Sequence, residues 1–375
     1  MGKKPHKIRT EFRKNREVRT RDHGLTRQFE EHGFESSDAA QSERVSGKGD
    51  LTRQRTVMAE MVEGDDGATL IRDVDETQCL AGRVLSIRGL LSDVQTVDGR
   101  RWRCATRRLL KTMSTDQRHV VAVGDRVMIR PEGAAEGFIE RVEPRRAVIS
   151  RTSRGRQHIL VANIDQMLIV SSAAEPYLKP NLIDRLLVTA EKGRIRPVIC
   201  INKVDLMDPA DLQPLVGVYG QLGYAVHLLS AAEGWGIDGL RRVLASAASV
   251  VVGQSGVGKS SLLNAIEPNL ALRVGEVSEG TQKGKHTTTS AKLEPLVSGG
   301  FVIDTPGIRQ FQLWDVTAEE VAGFFRELRP YVSRCRFPDC THTHEAECAV
   351  KDAVADGRID VRRYESYCQM RFGDE

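Results

Sequence analysis

One run of eight residues constrains this chain more than any other, Gly253-Gln254-Ser255-Gly256-Val257-Gly258-Lys259-Ser260. It follows the apolar Ser249–Val252 and precedes Ser261-Leu-Leu-Asn-Ala-Ile. Glycines at this spacing let a backbone turn sharply from strand into helix with its N–H groups pointing into the turn. N–H groups gathered at a helix N-terminus favour an anion, and Lys259 sets a full positive charge beside them. The expectation is a strand, a phosphate-cradling loop from Gly253 to Ser261 and a helix, with the Ser260 hydroxyl on magnesium. A glycine-rich turn without that strand and helix would carry no such meaning.

The base is read elsewhere. Asn202-Lys203-Val204-Asp205 ends the apolar strand Pro197–Ile201. A carboxylate at Asp205 accepts two hydrogen bonds from guanine N1–H and its exocyclic amine, a donor pair adenine lacks. Asn202 is expected to brace neighbouring loops, and the Lys203 stem to cover the base plane. Ser230-Ala231 follows the next strand, where a backbone N–H can meet the guanine oxygen. Guanine is therefore expected over adenine, and an ATPase or kinase is disfavoured.

Asp304-Thr305-Pro306-Gly307 closes the strand Phe301–Ile303. Asp304 there reaches magnesium through water, and the Gly307 N–H meets a γ-phosphate. Between the two phosphate motifs lies Gly280–Ser290, polar and without apolar period, which reads as a switch loop. Thr288, flanked by Thr287 and Thr289, is the candidate to complete the magnesium shell. Signalling GTPases place a water-orienting glutamine after the last glycine of the DxxG motif, but Ile308 stands here. His286 is the expected catalytic residue, orienting water or acting as base, with Gln310 as competitor.

The base-reading loops precede the phosphate loops, the reverse of the usual GTPase order. A circular permutation accounts for this, because all the loops still converge at the carboxyl edge of one sheet. The chain's 375 residues leave room for two or three domains. No apolar run approaches the roughly twenty residues of a membrane span, and the basic N-terminus has no apolar core behind it. A cytoplasmic context is expected, with the seven cysteines read as thiols or metal ligands before disulfides.

Charge is unevenly spread. Residues 1–27 hold ten Lys and Arg against three acids, and 79–150 hold fourteen against eight. Residues 1–75 lack apolar period and are expected to be a disordered extension. Short β-rich stretches follow at Gly82–Ile87, Asp93–Thr96, Arg101–Ala105, Arg126–Ile129 and Gly137–Val142, with Arg83, Arg88, Arg101, Arg103, Arg107 and Arg108 interleaved. The spacing predicts a small OB-type barrel that grips a nucleic-acid backbone. After Arg151 strands alternate with helices, as in a parallel sheet covered on both faces. Near the C-terminus a helix over Thr317–Leu328 is expected. Beyond it Cys335, Cys340, His342 and Cys348 offer three thiolates and an imidazole, a closed tetrahedral set for one structural Zn2+. His344 is an alternative fourth ligand and Cys368 a bystander.

The pattern is multidomain: extension 1–75, OB-fold RNA-binding barrel 76–148, circularly permuted α/β P-loop GTPase domain 149–316 and zinc-binding helical module 317–375. Over about residues 78–370 it resembles the RsgA (YjeQ) family, circularly permuted GTPases of small ribosomal subunit biogenesis. The likeness rests on VAVGDRV and GFIERVEPR, the order NKVD, SA, GQSGVGKS, GKHTTT and DTPG, and the Cys-Cys-His-Cys spacing. It implies docking on the nearly mature small subunit and its rRNA, RNA-stimulated GTP hydrolysis with Mg2+, and release of assembly factors and of the protein itself. It also implies that His286 is the hydrolytic histidine and that the threonines after it form the first switch. A monomer with no membrane partner is expected. The alternative is an RNA-anchored nucleotide-switch scaffold with little catalytic role. The N-terminal extension exceeds the usual family pattern.

Overall fold

The computed structural model describes residues 6–11, 54–64, 67–72, 74–107, 120–153, 156–272, 291–304 and 316–373. Strands β1 (His6–Glu11), β2 (Gln54–Gly64) and β3 (Gly67–Arg72) form an antiparallel sheet in the region expected to be a disordered extension. The polar average of those residues hides a locally apolar stretch, Val57, Met58, Ala59, Met61 and Val62 on β2, within reach of a strand assignment.

The expected barrel strands are β4 (Leu80–Arg88), β5 (Leu91–Thr96), β6 (Arg101–Thr106), β7 (Arg126–Pro131) and β8 (Glu136–Val142). They pair in the closed order β4-β5-β6-β8-β7-β4, with β6 and β8 parallel and the rest antiparallel. That ring is the OB arrangement. Its core is Val84, Val94, Trp102, Cys104, Val127, Ile129 and Ile139, the inward half of each alternating strand, with Val121 from the segment before β7.

A hairpin, β9 (Val148–Ser153) and β10 (Arg156–Ala162), leads into the parallel sheet. That sheet contains β11 (Gln166–Ser172), β12 (Arg196–Asn202), β13 (Ala225–Leu228), β14 (Ala248–Val252), β15 (Lys292–Pro295) and β16 (Phe301–Asp304). Their order is β13-β12-β11-β14-β16-β15, with only β15 antiparallel. Successive residues of β11 enter opposite cores: Met167 and Ile169 on one face, Leu168 and Val170 on the other. The first face is covered by α1 (Pro180–Lys192) and α2 (Gln213–Gln221), the second by α3 (Ile237–Leu244) and α4 (Lys259–Ile266). A sheet buried on both sides needs apolar residues at every position, which is why these strands read as unbroken apolar runs.

Two seams hold the parts together. Barrel strand β4 pairs with β15, so one sheet continues from barrel to GTPase region. Beside it the Arg83 guanidinium donates to the Asn163 carbonyl at 2.6 Å and lies 4.9 Å from the Phe301 ring. Burial pulls Arg83 down to about 10. The second seam joins α1 to the C-terminal module of α5 (Val321–Phe324), α6 (Arg329–Val332), α7 (Ala349–Ala355) and α8 (Val361–Phe372). Ile183, Leu186, Leu187 and Ala190 of α1 face the sheet, while Val188 joins the module's core with Phe325, Leu328 and Tyr367. Asp184, 1% exposed, pairs with Arg363 of α8, 3% exposed, and Arg363 also holds Glu327. Tyr219 donates a further bond to Asp184 at 2.7 Å.

Removing one partner of such a pair strands a charge in a dry interior. Arg363→Met is therefore expected to cost about 3–5 kcal/mol. Denaturant unfolding measures it, and a loss under about 1 kcal/mol would contradict the pair's role.

The expected helix over Thr317–Leu328 is shorter, Val321–Phe324 alone, because Phe325 turns extended (φ −88°, ψ 111°). That turn brings the Phe325 ring edge-on to Tyr367 at 5.8 Å and beneath the Arg363 guanidinium at 4.5 Å. Arg329 Nε then donates to the Gly323 carbonyl at 2.6 Å. Packing on α8 outweighs the helical periodicity of the segment. Among the described residues no helix is long and apolar enough to cross a membrane.

Candidate functional site

Because β11, β12, β13, β14 and β16 are parallel, the loops after them open at the same sheet edge. The loop after β14 is Gly253–Gly258, and two of its glycines have no substitute. Gly253 (φ 147°) would bring a Cβ to 2.0 Å from the Val170 carbonyl oxygen of β11. Gly258 (φ 92°) would bring one to 2.3 Å from Asn202 Nδ2. The loop is thus folded tightly onto β11 and against the end of β12, and Gly258 starts α4. Lys259 lies over its own loop, Nζ donating to the carbonyls of Gly253 at 2.9 Å and Gln254 at 2.6 Å. Val257 is buried, Ser255 is exposed, and Gln254, Gly256, Ser260 and Ser261 are half-buried.

Asn202 ties three loops together. Buried at the end of β12, its Nδ2 donates to the Val257 carbonyl at 2.9 Å, and its Oδ1 accepts from the Ala231 N–H at 3.2 Å. The Ala231 N–H, one of the two backbone donors of Ser230-Ala231 among which a contact to a base oxygen is expected, is thus already engaged, and an entering base would share or displace that bond. Lys203 sits in the left-handed region (φ 63°) and donates from Nζ to the Glu175 carbonyl at 2.6 Å. Asp205 is exposed in the short turn Val204–Leu206. Ser230 is fully buried, its hydroxyl accepting from the Glu233 N–H at 3.0 Å and its own N–H donating to the Trp235 carbonyl at 3.1 Å.

Sequence reasoning overlooked Glu175 and Trp235. Glu175 acts through its carbonyl, which no residue type announces. Trp235, 55% exposed in the same loop as Ser230, likewise acts through its carbonyl.

Asp304 ends β16 in register with Val251 of β14, two positions before Gly253. The backbone therefore sets it beside the glycine loop. Gly307, His286, Thr287, Thr288, Thr289, Ile308 and Gln310 lie outside the described residues.

The cysteine and histidine cluster closes on itself. Ligand atoms of Cys335, Cys340, His342 and Cys348 all lie within 4.8 Å of one another. Cys335 Sγ is 3.3 Å from His342 Nδ1 and 3.9 Å from Cys348 Sγ, and Cys348 Sγ is 3.6 Å from His342 Nδ1. Bond lengths to tetrahedral zinc give edges of about 3.8 Å between sulfurs and about 3.6 Å from sulfur to nitrogen. The donor set therefore fits that ion. Burial pushes the Cys340 and Cys348 thiols up, so holding them as thiolates calls for a cation. The Tyr364 and Tyr367 hydroxyls bond the carbonyls of His342 and Thr341 at 2.7 and 2.6 Å, fixing the ligand loop from α8. The His344 side chain is 80% exposed and apart from the cluster, and Cys368 is not one of the four.

The family model described as RsgA GTPase matches residues 142–314. The Small ribosomal subunit biogenesis GTPase RsgA of Chlorobaculum parvum is 41% identical, over 78% of this chain and 97% of the relative. The protein of that name from Gemmatimonas aurantiaca is 41% identical, covering 79% and 97%. The crystal structure of YjeQ from Thermotoga maritima superposes with a TM-score of 0.67 at 36% identity, covering 79% of this chain and 98% of that one. The structure of YloQ, a circularly permuted GTPase, gives 0.63 at 29% identity, covering 80% and 97%. With that identity and coverage added to the swapped loop order at its sheet edge, the chain belongs to the RsgA family of circularly permuted GTPases.

Proposed function

We propose that the protein hydrolyses GTP late in maturation of the small ribosomal subunit, is stimulated by that subunit and its rRNA, and couples turnover to release of assembly factors and of itself. The observation that carries this reading is the Asn202 brace, which joins the glycine loop to the Ser230-Ala231 loop. A base read by Asp205 and a triphosphate held from Gly253 to Ser261 then belong to one ligand. The names of the relatives supply the ribosomal half of the reading.

In this proposal Lys259 leaves its own loop carbonyls for the terminal phosphates, an exchange of neutral acceptors for charged ones. Magnesium bound with GTP neutralises charge building on the phosphates, and Ser260, Thr288 and Asp304 are the residues assigned to hold it. Asp205 faces the base, Lys203 covers its plane, and Gly307 meets the γ-phosphate. His286 orients the attacking water, because Ile308 has no polar group with which to do so. The zinc cluster is structural, its four positions filled by protein.

The test is GTP turnover with and without purified small subunits. Stimulation on the order of tenfold or more is expected, and His286→Ala should remove most of it. Equal rates with and without subunits would overturn the proposal.

A further inference from the structure

Three large apolar side chains stand exposed on successive loops at the carboxyl edge of the parallel sheet, Tyr177 after β11, Leu206 after β12 and Trp235 after β13. Apolar residues exposed singly are ordinary, but three gathered beside one candidate site call for an account. Trp235 is the most informative. Its backbone is anchored on both sides. The Ser230 N–H donates to the Trp235 carbonyl at 3.1 Å, the Glu233 N–H donates to the Ser230 hydroxyl at 3.0 Å, and Ile237, two residues on, is buried in the core beneath α3. Any residue's carbonyl could close that loop. The fold therefore gives no reason for an indole here, and the ring is left 55% exposed.

The same loop carries Ser230-Ala231, where a backbone donor to the guanine oxygen is expected. A base seated there has two flat faces and a reading edge. Lys203 is assigned to one face, and its stem is held by the bond from Nζ to the Glu175 carbonyl. Tyr177, two residues past that carbonyl, belongs to the side Lys203 already covers. Leu206 shares the short turn of Asp205, at the reading edge. Trp235 enters from across the Asn202 brace, on the loop joined to it by the Ala231 N–H.

We infer that the Trp235 indole stacks on the guanine face that Lys203 leaves open, so that the base lies between an alkyl stem and an aromatic ring. This deepens the proposed function and rests on its guanine site. An aromatic plane adds affinity for any purine without reading its edge, so selectivity stays with Asp205. The loop is already tied down by its own bonds, so stacking orders little beyond the ring itself. The bound base in turn takes water off an indole that is otherwise exposed.

The test titrates GDP, and inosine diphosphate, which lacks the exocyclic amine, into the full chain by calorimetry. Trp235→Ala should weaken both about tenfold and leave their ratio unchanged. Trp235→Phe should recover most of the loss, because a smaller ring still stacks. Inorganic pyrophosphate engages the glycine loop without a base and, read by competition, should bind the unaltered protein and Trp235→Ala alike. Intrinsic fluorescence supplies a second readout. GDP should quench the unaltered protein, and most of that quench should vanish in Trp235→Phe, since Trp102 lies buried in the barrel. Turnover stimulated by small subunits should need about tenfold more GTP to reach half its maximum in Trp235→Ala.

A GDP affinity for Trp235→Ala within about twofold of the unaltered protein would overturn the stacking, as would pyrophosphate binding weakened as much as GDP binding. Stimulated turnover lost while GDP affinity stays intact would mark the ring as a contact to the subunit instead, and would also sink the inference. GDP bound tightly with no dependence on Trp235 defeats this inference alone. No binding of GDP by the unaltered protein defeats the proposed guanine site and the inference with it.

Discussion

A Gly258→Ala protein is expected to lose affinity for guanine nucleotides by about a hundredfold or more. Two costs combine. A side chain at φ 92° is strained by roughly 1–3 kcal/mol. The new Cβ would also stand 2.3 Å from Asn202 Nδ2, so Asn202 must give up its bond to the Val257 carbonyl. A buried acceptor left unpaired adds about 1–3 kcal/mol; the free loop relaxes away from that geometry, so closing it around the phosphates must repay the sum, about 2–6 kcal/mol or roughly one and a half to four decades of affinity. Asn202→Ala alone removes the brace without the strain and should be the milder change. The double variant should fall short of the two single effects added, since the clash vanishes with the amide. Titration calorimetry with GDP measures all three, and an affinity for Gly258→Ala within about threefold of the unaltered protein would refute the argument.

The second large effect is expected on removing metal. The helices around the cluster are short, α5 and α6 only a turn each, and cannot hold themselves in water. Their order depends on Cys335, Cys340, His342 and Cys348 closing one loop and on Tyr364 and Tyr367 gripping its carbonyls. Metal binding of this kind is folding free energy, about 10 kcal/mol or more in isolated small modules. A strong chelator, or Cys340→Ser, should open the module to protease across residues 317–373. Thermal unfolding should move down by about 10 °C or more. One zinc per chain by elemental analysis should accompany the intact state. A chelated protein with the same melting temperature and the same digestion pattern would remove the structural role.

Much of this architecture could be read beforehand, for identifiable reasons. Arg101-Trp102-Arg103-Cys104 alternates cleanly because one face of β6 is core and the other solvent, so its strand and its orientation follow from pattern alone. The run Met167–Val170 has no period, yet its unbroken apolarity is what a sheet covered on both faces demands. At the candidate site the structure sets Asn202 at the end of β12 and Lys259 at the start of α4, and these motif residues stood out from the sequence. Backbone partners did not. The Glu175 carbonyl that receives Lys203 could be any residue's carbonyl. Strand β15 escaped notice because four residues, Lys292–Pro295, are too few to show a period, and its pairing with β4 joins positions about two hundred apart in the chain. The break at Phe325 was hidden for a different reason. Its spacing from Val321 and Leu328 is helical, and only the ring of Tyr367, distant in sequence, makes the extended conformer better.

The α1 seam has a consequence in time. Arg363 follows Asp184 by 179 residues, and a ribosome adding roughly 5–20 residues per second needs on the order of ten to forty seconds to deliver it. During that interval Val188 has no neighbour from α5–α8 to cover it, and the Asp184 carboxylate has only Tyr219 for company. The nascent helix is therefore sticky and wet on one flank until the last few dozen residues have emerged. A stall or premature stop near residue 316 would leave that flank open for good, a ready target for chaperones and proteases that sample uncovered apolar surface.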